Sequence, residues 1–196
     1  IELLKKNLIL NNFHKIEIHE GAISDKESEK DFFLSTQSNL NTFHNIGTGK
    51  NHLSGEVVKV KTQTISSLLN GRSLDLIRMD VEGHEVEVLN GMISSIDEFK
   101  KLPMIIFETH LSRYSKEHDF EKTLNGLFNL DYSVSFAGSS SERGSKIISE
   151  YGYESIKEIK SDGEVRKIFK DIINKDAIEL ICFKGGIRTV LLMPPK

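Results

Sequence analysis

The chain has 196 residues, 38% hydrophobic and 28% charged, with 26 Lys and Arg against 29 Asp and Glu. That length supports one domain with a sizeable core, so residues 1–196 are read as a single domain, and the net charge of −3 leaves no basic excess with which to bind polyanions generally. The lone cysteine, Cys182, excludes a disulfide framework and a multi-cysteine zinc site; no stretch reaches membrane-spanning length and no leader pattern opens the chain, so a cytoplasmic protein is expected.

Ile1 to Asn12 carries Ile1, Leu4 and Leu8 at helical spacing, and Asn11-Asn12 breaks the run. Lys15–His19 alternates and predicts a strand closed by Gly21; two short extended runs follow, at Asp31–Leu34 and Val57–Val60. Between those runs, Ser35–Gly55 is polar and reads as a loop or loose hairpin. A short helix from Thr64 leads to the apolar strand Leu74–Asp80. Val88, Leu89, Met92, Ile93 and Ile96 then mark a helix with one buried face. Met104–Phe107 is unbroken and apolar, as expected of a strand covered on both faces, and it stops at Glu108. Glu117–Asn129 predicts a helix and Tyr132–Phe136 a strand. Gly138–Gly144 reads as a flexible surface loop, Glu164–Asn174 as a helix, Ala177–Phe183 as a late strand and Arg188–Met193 as a last one.

Strands alternating with helices imply right-handed crossovers and a mainly parallel sheet, with ligands beyond the carboxyl ends of its strands. Asp80 and Glu108 stand at that edge. Around Asp80 runs Asp-Val-Glu-Gly-His-Glu-Val-Glu, in which Gly83 permits a tight turn and Glu82 and Glu85 fall near a helix start. Acids there also stabilise a helix through its dipole, by about 0.3–1 kcal/mol. Three acids and His84 within six residues at a ligand-binding edge argue for more than that.

The run Ile77–Gly91 closely resembles the signature of the FkbM-type methyltransferases. Leu3–Asn7 with Asn11, Gly21–Asp25, Thr64–Leu68 and Pro103–Glu108 with His110 resemble further parts of that family in order and spacing. The likeness covers about residues 1 to 185. It implies an α/β, Rossmann-like class I methyltransferase sheet with helices on both faces and S-adenosylmethionine as cofactor. It also implies O-methylation of a hydroxyl on a glycan, glycolipid or small metabolite. Family members begin with a strand, a glycine-rich cofactor loop and a second strand ending in an acid. Here the first glycine is Gly21, so the first two strands are expected to be missing, leaving the carboxyl-terminal two-thirds of the fold and an unpaired inner edge on the fourth strand. Gly47-Thr48-Gly49-Lys50 does not replace the loop: it follows no buried strand and fits no phosphate-binding pattern.

By the resemblance, Gly21, Ala22, Ile23 and Asp80 bind the cofactor. Asp80 is the first candidate to take the proton of an acceptor hydroxyl, Glu82 and Glu108 orient the acceptor, and His84 and His110 are alternative bases. Asp80, Glu108 and His110 also have the donor types for Mg²⁺ or Ca²⁺, although no residue is assigned to a metal. Cys182 reads as an inert buried thiol. The partner expected is a small-molecule or glycan acceptor, with no nucleic acid, and a homo-oligomer is compatible. A degenerate Rossmann-like module that binds without catalysis is the competing reading.

Overall fold

The structure is a computed structural model and describes residues 1–37, 40–44, 53–161 and 163–195. Helix α1 (Glu2–Leu10) is followed by strands β1 (Ala22–Ile23), β2 (Ser28–Ser35) and β3 (Leu53–Gln63). Helix α2 (Ile65–Leu69), strand β4 (Leu76–Met79), helix α3 (Glu85–Ser94) and strand β5 (Met104–Glu108) come next. Beyond them lie α4 (Phe120–Asn129), β6 (Ser133–Ser139), α5 (Glu142–Glu150), the hairpin strands β7 (Lys157–Ser161) and β8 (Glu164–Lys170), α6 (Asn174–Ile178) and β9 (Ile187–Met193).

Two sheets result. The smaller has the order β1-β3-β2; the larger has the order β4-β5-β9-β6-β8-β7. Among the described residues β4 pairs only with β5, in parallel, and so forms an edge. Every other pairing in the larger sheet is antiparallel, so it is mixed where the alternation of elements predicted mainly parallel. The difference arises because β9 returns between β5 and β6 and because β7–β8 is a local hairpin. β4, β5 and β6 still run in one sense, since β9 is antiparallel to both of its neighbours.

One core joins β4, β5, β6, β8 and β9 to α3, α4, α5 and α6, with Leu89, Met92, Ile105, Phe107, Leu124, Ile148 and Phe169 fully buried. On β5, Ile105 and Phe107 are fully buried but Met104 and Ile106 only partly so. Its second face is therefore less covered than the unbroken apolar run predicted, and Ile106 borders a cleft of about 410 Å³.

Several elements differ from the sequence expectation. Lys15–His19 forms no strand; the neighbouring pairing is the two-residue β1 against Thr62 and Gln63 of β3. The Gly138–Gly144 loop is instead the end of β6 and the start of α5, where the Ser141 hydroxyl accepts from the Gly144 amide. Glu164–Lys170 is a strand whose apolar spacing imitates a helix, paired residue by residue with β7. Ala177–Phe183 is helical, since Ala177, Leu180 and Ile181, spaced three and four apart, face the core together. The Gly47–Lys50 segment lies outside the described residues.

Candidate functional site

A cleft of about 830 Å³ opens along the free edge of β4, between the two sheets. Gly21, Ala22 and Ile23 line it from the smaller sheet, Asp80 and Glu82 from the end of β4, and Ile65, Leu69, Ile77 and Val88 supply apolar wall. At Gly21 the backbone has φ +144°, and a β-carbon would lie 3.1 Å from the Lys61 carbonyl oxygen, so glycine alone keeps this wall thin.

Beyond β4 the chain makes an unusual turn. Glu82 (φ +52°) and Gly83 (φ +101°) both occupy the left-handed region, which is strained for a glutamate. The Thr42 hydroxyl donates to the Glu82 carbonyl at 3.3 Å, and Arg113 packs where a β-carbon of Gly83 would be. This turn brings Glu82 back beside Asp80 and delivers Glu85, the first residue of α3, into the interior with no solvent exposure.

His110 closes the group. Its Nδ1–H donates to Glu85 Oε1 at 2.7 Å, and its amide donates to the Tyr114 hydroxyl at 2.9 Å. The other ring nitrogen, Nε2, lies 3.8 Å from Asp80 and 3.9 Å from Glu82. Burial alone would lower the pKa of His110, but the Glu85 hydrogen bond and the charges of Glu85, Glu82 and Asp80 outweigh it and hold it above 6.5.

Of the site residues expected from sequence, Asp80, Glu82 and His110 meet, and Gly21, Ala22, Ile23 and Asp80 share one cleft. His84 borders the cleft, yet its ring is directed elsewhere, with Nε2 3.0 Å from the Ser24 hydroxyl. Burial keeps it neutral, its pKa pushed down to about 4. Glu108 stands apart: it pairs with Arg188 and lines the smaller cleft. The oxygen-rich set within 4.8 Å is therefore Asp80, Glu82 and His110, and Glu108 does not belong to it. Sequence reading missed Glu85 as the anchor of His110; its place three residues after Glu82 on a new helix was the available signal.

The model of the Methyltransferase FkbM domain matches residues 1–134, more than half of the chain and all of the site residues expected from sequence. The chain belongs to the FkbM methyltransferase family. No curated protein and no solved structure matches it. In this FkbM chain the matched span ends in β6, while β9, from beyond it, completes the sheet between β5 and β6. No helix is long and apolar enough to cross a membrane among the described residues.

Proposed function

We propose that the chain is an S-adenosylmethionine-dependent O-methyltransferase acting on a hydroxyl of a glycan, glycolipid or small metabolite. The observation that carries this reading is the convergence of Gly21–Ile23 and Asp80, from two different sheets, on one cleft. The thin wall at Gly21 suits a flat base, and the Asp80–Glu82 pair suits a cationic group at the other end. S-adenosylmethionine, when bound, supplies a sulfonium-activated methyl group. The chain's own residues then align the acceptor and manage its proton. Asp80 accepts the hydroxyl proton. Glu82 orients the acceptor, and His110, fixed through Nδ1 by Glu85, steadies the two acids with its charge when protonated. Glu108, bound to Arg188, has at most an outlying part.

We further read residues 1–196 as one domain and the larger sheet as the later strands of a Rossmann-like class I fold. In this reading two further strands of the family fold extend the sheet along β4 and take up the part of the cleft lined by Leu76 and Ile77, leaving the end lined by Gly21–Ile23 and Asp80 to the cofactor. The exposure of Leu3, Leu4, Ile9 and Leu10 on α1 supports it, because a covering segment would bury them.

Calorimetric titration of S-adenosylmethionine into this chain, and into a version extended by its native upstream residues, tests the reading. The expected result is binding by at least the longer version, lost on Ile23→Glu, and methyl transfer lost on Asp80→Ala. Two folded proteins that both fail to bind would overturn it in favour of a binding module without catalysis.

A further inference from the structure

Beside the cleft, but facing away from Asp80, lies a second cluster that the methyl-transfer reading does not use. The Glu87 carboxylate, on the first turn of α3, is its centre. His118 Nε2 lies 3.0 Å from Glu87 Oε2, and His84 Nδ1 lies 3.3 Å from the same oxygen. The His44 ring packs at a tilt of 53° against that of His118, with centroids 4.5 Å apart. One donor atom from each of His44, Glu87 and His118 falls within 4.8 Å of the others.

The surrounding hydrogen bonds fix which ring nitrogens carry protons. His118 Nδ1 lies 2.9 Å from the Arg113 carbonyl, which can only accept, so Nδ1 is protonated and Nε2 is turned to Glu87. The Ser24 hydroxyl donates to Asp25 at 2.9 Å and accepts from Lys30 at 2.8 Å. It must therefore accept again from His84 Nε2–H, which leaves a lone pair on Nδ1. That lone pair faces a carboxylate oxygen, another acceptor, with no proton between them. His84 is 3% exposed, and its Nδ1 and the Nε2 of His44 are both buried without a hydrogen-bond partner among the described residues. Buried orphan acceptors converging on a carboxylate are unfavourable unless a cation lies among them.

We propose that His44, Glu87 and His118, with His84 as a fourth donor, form a binding site for a divalent transition-metal ion of the zinc type. Imidazole nitrogens with one carboxylate suit zinc and its neighbours and do not suit Mg²⁺ or Ca²⁺. Zinc bonds of about 2.0–2.1 Å set tetrahedral donor separations near 3.4 Å, so the 3.0 and 3.3 Å pairs already fit. The remaining separations, all within 4.8 Å, have to close by at most about 1.4 Å. The Nδ1–H of His118 on a backbone carbonyl is the outer contact that orients metal-binding histidines. Bound metal would tie together the segment after β2, the start of α3 and the segment before α4.

Equilibrium dialysis of the tag-free chain against zinc chloride tests the site, together with the visible spectrum after cobalt substitution. The expected result is one zinc per chain and a tetrahedral cobalt spectrum. His44→Asn and His118→Asn should each weaken zinc binding by at least about tenfold. Both residues are only half buried, so circular dichroism should remain that of the parent. Asp80→Asn should leave zinc binding unchanged, which separates this site from the Asp80–Glu82–His110 group. No retained zinc, or zinc retained equally by both histidine variants, would overturn the proposal. So would zinc lost on Asp80→Asn and kept by His118→Asn.

Discussion

Glu85 is fully shut off from solvent; its Oε1 accepts from the Nδ1–H of His110 at 2.7 Å and from the Gly83 amide at 3.4 Å, and its Oε2 has no hydrogen-bond partner among the described residues. Glu82 and Asp80 face the same imidazole from another element, and the Tyr114 hydroxyl accepts from the His110 amide. Because the folded protein holds the proton of His110 more tightly than the unfolded chain does, it contributes stability that is complete below pH 6.5. That contribution is lost as pH rises through the raised folded value. Glu85→Gln removes the nearest charge and leaves burial, the largest influence, to dominate. The pKa of His110, followed by NMR through its ring protons, is expected to fall from above 6.5 to below it. The loss of stability on the alkaline side should shrink in parallel. An unchanged titration would show that Glu85 is not what holds the proton.

At the scale of elements, α3 is the joint between the two sheets. A β-carbon at Gly91 would lie 2.5 Å from the Ser24 carbonyl oxygen and 2.9 Å from the Asp25 α-carbon, both backbone atoms that cannot swing away. Alanine favours a helix over glycine by about 1 kcal/mol, whereas overpacking costs typically 1–3 kcal/mol. Gly91→Ala should therefore destabilise the protein by up to about 2 kcal/mol in urea unfolding; a stabilised variant would mean that the corner gives way.

Elements whose local signals agreed with their packing were readable in advance. The Thr64 cap of α2, the buried stripe Val88, Leu89 and Met92, and the apolar β4 and β5 are of this kind. Misreadings came where one local pattern fits two structures. Val165, Ile168 and Phe169 have helical spacing, yet Asp162-Gly163 just before them was a hairpin signal. Ala177–Phe183 is apolar enough for either state, and what decides is the core already built by α4 and β6. Ser139 and Ser145, hydrogen-bonded at 2.8 Å and buried, make an interior of a stretch whose composition suggested a surface loop.

For the whole molecule, the meeting of Asp80, Glu82 and His110 was more legible than the topology. Asp80, Glu82 and His110 could be named because strand ends collect at one edge, while the Glu85–His110 bond and the histidine cluster depend on folding distant segments together. Sheet order was beyond reach, since nothing local says that β9 slots between β5 and β6. This insertion makes the last strand essential. Its Leu191 and Leu192 pair with Ile106 and Ile105 on one side, and with Phe136 and Val134 on the other. A chain ending at Gly186 is expected to be insoluble or unfolded, as judged by recovery in the soluble fraction and by circular dichroism. A soluble, cooperatively unfolding product would contradict the central place given to β9.

The same insertion sets a timetable for a chain being made. At about 5–20 residues per second, β9 leaves the ribosome roughly 2 to 10 seconds after β6. Throughout that interval β5 and β6 have finished edges facing an empty slot, open to any other extended strand nearby. The nascent protein is thus most vulnerable between the emergence of β6 and that of β9, when the slot is framed and the piece that seals it is still inside.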